Sequence, residues 1–200
     1  MPMVKQPLSI EHALLGFVRQ RPMHGYEIHQ RLIESRELGM VWSIKQSLLY
    51  AYMARLEEEG LLSSQADSGG KHNRRLLSLT PAGEQAFTQW VRSPVEHGRD
   101  LRIEFLAKIY FAQQESPTAA LELVARQRWA TRQRLSELTE QATQLHASHS
   151  YEWLVLRYRI GQLEAILAWL DTCTDWLIQH ETGTTPGIGL GEAASSEEYS

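Results

Sequence analysis

Residues 43–80, SIKQSLLYAYMARLEEEGLLSSQADSGGKHNRRLLSLT, constrain the fold more than any other stretch of the chain. Leu49, Met53 and Leu56 recur at i, i+4 and i+7, which places them on one face of a helix. Tyr52 borders that face. The opposite side carries Gln46, Ser47, Tyr50, Ala51 and Ala54, all small or hydrogen-bonding, with Lys45 at the N-terminal end. A helix buried on one side and shallow and polar on the other fits a DNA major groove. Gly60 suits the left-handed position that ends a helix. The three acids before it, Glu57, Glu58 and Glu59, oppose the helix dipole and repel phosphate, so this end is expected to point away from nucleic acid. The pattern then changes to two short strands, Leu61 to Gln65 and Leu76 to Leu79, separated by the turn residues Asp67-Ser68-Gly69-Gly70. Lys71, His72, Asn73, Arg74 and Arg75 follow that turn directly. A basic turn alone is ordinarily a solvated hairpin. Beside a polar-faced helix, it becomes a candidate to hold the phosphate backbone or enter the minor groove.

These residues carry a resemblance. Leu49-Tyr50, Arg55 through Leu61, Arg74-Arg75, Leu79-Thr80 and the earlier His24-Gly25-Tyr26 are similar to the PadR family of winged-helix transcriptional regulators. The chain departs from the family pattern at Ser47, Leu48 and Ala51 in the helix and at Leu76 and Leu77 after the basic pair, which bears on the DNA sequence read more than on the fold. The resemblance implies a homodimeric repressor of a pseudo-palindromic operator. It also implies release by a small hydrophobic or phenolic effector near the junction between the two domains. The expected DNA contacts are Lys45, Gln46, Ser47 and Tyr50 on the helix and Lys71, His72, Asn73, Arg74 and Arg75 on the wing. Gln46 suits a bidentate contact to adenine, and a solvated glutamine fits the pattern too. Tyr50 suits phosphate or a thymine methyl, or else packs against Tyr26 or the first helix.

The rest of the chain agrees with a mostly α fold: an N-terminal winged helix-turn-helix with a two-stranded β wing, then an all-α antiparallel helical dimerisation domain. Ala13, Leu14, Phe17 and Val18 follow helical spacing after Ser9 and stop before Pro22. A second helix is expected from Tyr26 to about Leu38, and an extended link over 39–42. Thr80-Pro81 is a helix start, a capping hydroxyl followed by proline at the first position. The division falls into a DNA-binding head (1–92), a helical arm (93–182) and an acidic, glycine-rich tail (183–200) expected to be disordered.

In the arm, helices are expected over 100–113, 118–147 and about 150–180. The last is apolar on two sides. Leu156, Ile160, Leu163, Leu167, Leu170 and Leu177 form one seam, and Gly161, Ala165 and Ala168 form a small-residue strip flanked by Trp153, Trp169 and Trp176. A helix with two apolar faces implies a second copy of the chain. The candidate dimer contacts are Leu156, Ile160, Leu163, Leu167, Leu170, Trp153 and Trp169. Trp42 and Trp129 are the candidates for an effector pocket, against the ordinary role of tryptophan in core packing.

Net charge is −4, yet residues 1–92 hold 11 Lys/Arg against 9 Asp/Glu, while the remainder is acidic. So weak a positive balance motivates a different reading, a winged-helix protein-interaction module that binds no DNA. Cys173 is the single cysteine, which excludes an intrachain disulfide and a cysteine zinc cluster. Among the eight histidines, His24 and His29 are five apart, and His146 and His149 have no strong ligand beside them, so no metal is expected. No glycine-rich phosphate loop or nucleophile elbow is present, and neither catalysis nor a cofactor is expected. No apolar run is long enough to span a membrane, and a cytoplasmic location is expected.

Overall fold

The computed structural model describes residues 9–66, 75–145 and 150–181. Lys71, His72, Asn73 and Arg74 of the wing, His146, His149 and the acidic tail lie outside the described residues.

Helix α1 (Ser9–Gln20) buries Ala13, Leu14, Leu15, Phe17 and Val18. Next comes a two-residue strand, β1 (Met23–His24). It is too short to show an alternating pattern and exists only because β3 (Arg75–Leu79) offers it a free edge, pairing Met23 with Leu77 and His24 with Leu76. The other edge of β3 takes β2 (Leu62–Ala66), from Leu62↔Leu79 to Ala66↔Arg75. The antiparallel sheet is therefore three-stranded in the order β1-β3-β2, one strand more than the expected hairpin.

The expected helix from Tyr26 to Leu38 is two. Helix α2 (Gly25–Glu34) stops at Ser35, whose hydroxyl oxygen accepts the Leu38 N–H at 3.1 Å and so caps α3 (Arg36–Val41). Residues 39–41 are therefore helical rather than extended. Helix α4 (Gln46–Glu58) buries Leu49, Met53 and Leu56, and Gly60 follows with φ +72°. Helix α5 (Pro81–Arg92) starts as expected: the Thr80 hydroxyl accepts the Gly83 N–H at 3.0 Å and donates to the Gly60 carbonyl at 2.7 Å, fastening the helix to the root of the wing.

A 3-10 turn (Gly98–Arg102) precedes α6 (Glu104–Glu115), and two long helices follow, α7 (Pro117–Leu145) and α8 (Tyr151–Glu181). Phe111 of α6 meets Phe17 of α1 and Phe87 of α5 edge-on, at 5.4 and 5.6 Å between ring centres. One core thus runs from the head into the arm and reaches Leu170 and Leu177 of α8. A second, smaller cluster of Leu138, Ala142, Leu156 and Ile160 closes the far end of the α7–α8 pair.

The segment leaving α5 is held by side chains of the arm. Gln127 of α7, buried, accepts the Val95 N–H at 2.7 Å and donates to the Val95 carbonyl at 3.1 Å. Arg126 donates to the Arg92 carbonyl, and Lys108 of α6 donates to the Ser93 carbonyl. A backbone crossing between two helical layers needs such partners, because buried amide groups without them are costly. Among the described residues, no helix is long and apolar enough to cross a membrane.

Candidate nucleic-acid interface

Helix α4 presents the expected surface. Lys45, Gln46, Ser47, Tyr50, Ala51 and Ala54 are all exposed, while the face opposite enters the core. Lys45 stands at the helix start with extended backbone. Leu48, 46% exposed, joins this surface as an apolar group the periodicity did not single out.

Tyr50 is 44% exposed and Tyr26 43%. Both line an open cavity of about 380 Å³, together with His24, Gly25, Met53, Ala54, Glu57, Arg75 and Leu77. His24 stacks on Tyr26 with ring centres 5.7 Å apart. Gly25 allows the start of α2 to come this close: a Cβ there would lie 2.7 Å from Met53 Cε and 3.0 Å from the Tyr50 ring. Tyr50 is therefore both exposed and packed beside α2. Tyr26 and His24 join this exposed surface from another element, a juxtaposition that no local spacing announces.

Two of the three acids at the end of α4, Glu57 and Glu59, are paired with cations. Arg55 Nε donates to Glu59 at 3.0 Å, and its Nη1 lies 3.1 Å from Glu11 of α1. Glu11 is fully buried, and burial raises its carboxyl pKa although Arg55 works the other way. Glu57 lines the same cavity as Tyr50 and pairs with Arg75 Nη2 at 3.1 Å. Arg75 is thus the described member of the basic wing run, and it is anchored rather than loose.

Several other candidate residues are positioned differently from the sequence reading. Leu156 and Ile160 pack with Leu138 and Ala142 of α7, and Leu170 is fully buried in the main core. These three face inward and have almost no surface left for a second chain. Leu163, Leu167 and Trp153 are half-buried, and Trp169, 36% exposed, lies edge-on to Phe105. The physical reason is that α7 takes the broad leucine face of α8. The face left outward is Tyr151, Leu154, Tyr158, Gly161, Ala165 and Ala168, which recurs with the alternating three- and four-residue spacing of a helix–helix seam. Trp42 is half-buried against the head core, its indole Nε1 without a hydrogen-bond partner among the described residues, and Trp129 is 67% exposed on α7.

The junction of head and arm holds a different cavity, of about 250 Å³, whose lining includes His12, Trp90, Ser93, Val95, His97, Asp100, Glu104 and Lys108. Lys108 is 1% exposed, bonds Glu104 at 2.9 Å and lies 5.4 Å from the Trp90 ring centre. Burial lowers its pKa, with Glu104 opposing. His12 stacks on Trp90 at 6.0 Å, and burial lowers its pKa too. Four separate segments build this cavity, so no local spacing announces it. Among the described residues, no group of three or more His, Cys, Asp or Glu could hold a metal ion.

A helix buried on one side and polar on the other, flanked by an antiparallel wing whose root carries an anchored arginine, defines the winged helix-turn-helix class. Residues 14–89 match the transcriptional regulator PadR-like family, and residues 101–177 match the family described as virulence activator alpha C-term. The head is thus a PadR-like domain over residues 14–89, of the kind found in transcriptional regulators. It is 27% identical over 173 residues to the negative transcriptional regulator PadR of Bacillus subtilis (strain 168), spanning 82% of this chain and 94% of that relative. Similar solved structures include Bacillus subtilis PadR in complex with operator DNA (27% identity, 86% of this chain, 99% of that chain, TM-score 0.43). They also include Bacillus subtilis PadR in complex with p-coumaric acid (25% identity, 86% and 99%, TM-score 0.40).

Proposed function

We propose that this chain is a homodimeric DNA-binding repressor of transcription, cytoplasmic and without enzymatic activity, that reads a pseudo-palindromic operator. The exposed polar face of α4 beside the wing, in a PadR-like head, carries the reading. Residues 1–92 serve as the head. Lys45, Gln46, Ser47 and Tyr50 face the major groove, and Lys71, His72, Asn73, Arg74 and Arg75 reach the backbone or the minor groove. Residues 93–182 serve as the dimerising arm, through the outward seam of α8. Repression is the sign chosen because the curated relative is a negative regulator. A small hydrophobic or phenolic effector in the junction cavity releases the DNA by favouring one spacing of the two heads over another.

The test is a fluorescence-anisotropy titration against DNA from upstream of the chain's own gene and an unrelated duplex, at two salt concentrations. Tight binding that prefers the upstream DNA and falls steeply with salt is expected. Replacing Lys71 and Arg74 by alanine is expected to weaken both duplexes alike and reduce the slope of log affinity against log salt by about one to two. Passage through heparin and failure to bind either duplex at low salt would instead favour the protein-interaction reading.

A further inference from the structure

The Arg75–Glu57 pair sits where an acid is costly. Glu57 lines the cavity beside Tyr50 and Ala54, on the side of α4 that faces outward, and a carboxylate there repels phosphate. Arg75 is held at both ends. Its backbone lies in β3, opposite Ala66, and its carbonyl is 3.1 Å from His24 Nδ1. Its guanidinium Nη2 is engaged by Glu57 Oε2 at 3.1 Å and donates to the Ser64 hydroxyl. Helix α4 and strand β2 therefore fix one guanidinium nitrogen. Nε and Nη1 make no hydrogen bond among the described residues, and the side chain remains 60% exposed. An arginine swept freely on a wing loses rotamer freedom on contact, and one already held does not. The remaining donors, Nε–H and Nη1–H, then point in fixed directions and each can donate singly, which is what discrimination between base edges requires and what phosphate attraction does not.

We infer that Glu57, with Ser64, is a positioning residue that makes Arg75 a sequence-reading group at the edge of the α4 groove. Arg75 thereby differs from Lys71 and Arg74, which contribute sequence-independent attraction. The inference rests on the DNA-binding reading above and assigns a division of labour within it. The acid raises specificity by accepting a small loss of general affinity.

The experiment uses the full chain and two probes: a duplex enriched from a randomised pool by the wild-type protein, and a shuffled duplex of equal composition. Affinity for each is measured at one salt concentration for wild type, Glu57→Gln, Ser64→Ala, Arg75→Ala and the double variant Glu57→Gln/Arg75→Ala, with thermal melts as the folding control. Glu57→Gln is expected to reduce the enriched-to-shuffled affinity ratio by about tenfold while binding the shuffled duplex as tightly as wild type or more tightly. Ser64→Ala moves the ratio the same way by less, and supplies the test if Glu57→Gln is misfolded. Glu57→Gln adds little once Arg75 is alanine. Equal strengthening on both duplexes by Glu57→Gln would show that the acid only repels and would overturn the proposal. So would equal weakening on both by Arg75→Ala, or additive losses in the double variant. A wild-type protein that enriches no duplex overturns the DNA-binding reading itself, and this proposal with it.

Discussion

At the scale of single residues, Gly83 and His12 have the clearest consequences. A Cβ on Gly83 would lie 2.1 Å from the Leu61 carbonyl oxygen and 2.8 Å from Leu79 Cδ1, so the first turn of α5 touches the wing root through bare backbone. Gly83→Ala must separate the two, and a loss of about 2–3 kcal/mol is expected, read as a lower urea midpoint at unchanged slope. His12 titrates against burial. Burial, its largest influence, favours the neutral imidazole in the folded protein, with Glu104 opposing and Lys108 adding to it. The unfolded chain therefore takes up the proton first as pH falls. The stabilisation is present above the ordinary imidazole range near 6.5 and is lost as pH drops through it towards the lowered folded value. Glu11 runs the other way, because its raised carboxyl pKa favours the folded state at low pH and that contribution fades as pH rises. His12→Phe keeps a ring over Trp90 and isolates the histidine. Thermal melts between about pH 7.5 and pH 5.5 are expected to fall less for this variant than for wild type. Neither His12 nor Lys108 was legible as a buried titrating group, since both look like ordinary polar positions until α1, α5 and α6 are packed together.

At the scale of elements, α7 governs how the head meets the arm. Gln127 satisfies both backbone groups of Val95 and also reaches Thr131 at 3.4 Å. Gln127→Leu has similar volume but leaves the Val95 N–H and C=O unpaired in a buried place. A loss of about 2–6 kcal/mol is expected in urea unfolding, at roughly 1–3 kcal/mol for each unsatisfied group. Helix α4 was legible almost whole, because its buried spacing and its polar face are both written within Gln46–Glu58. Helix α2 was not, because Ser35 acts as a cap only when the chain turns there, and a serine in a periodic run looks like any other helical residue. Strand β1 had no signal of its own, since two residues gain strand character only from the edge of β3.

At the scale of the whole molecule, a core continuous from Phe17 and Phe87 through Phe111 to Leu170 ties the head to the arm, so the arm sets where each head stands. Two heads spaced by one dimer are what a two-half-site operator requires. Ala165→Glu places a charge in the outward seam of α8, where the chain itself makes no demand on that position. It is expected to give a monomer by light scattering with unchanged helical content, and to weaken binding to the full upstream site at least tenfold while leaving weak general DNA affinity, because the second head's contribution is lost. The sequence by itself determined helices α1, α4 and α5 and the β2–β3 hairpin of the head, the polar face of α4, the cap at Thr80 and the two apolar faces of α8. All of these follow from spacings of a few residues, which the local geometry of helix and turn converts directly into a surface. Tertiary structure alone decided which face of α8 turned inward, that Arg75 is anchored by Glu57, and that His12, Trp90 and Lys108 share a cavity. The physical reason is that each pairs groups far apart in the chain, whose meeting depends on how whole elements bury their apolar area against one another.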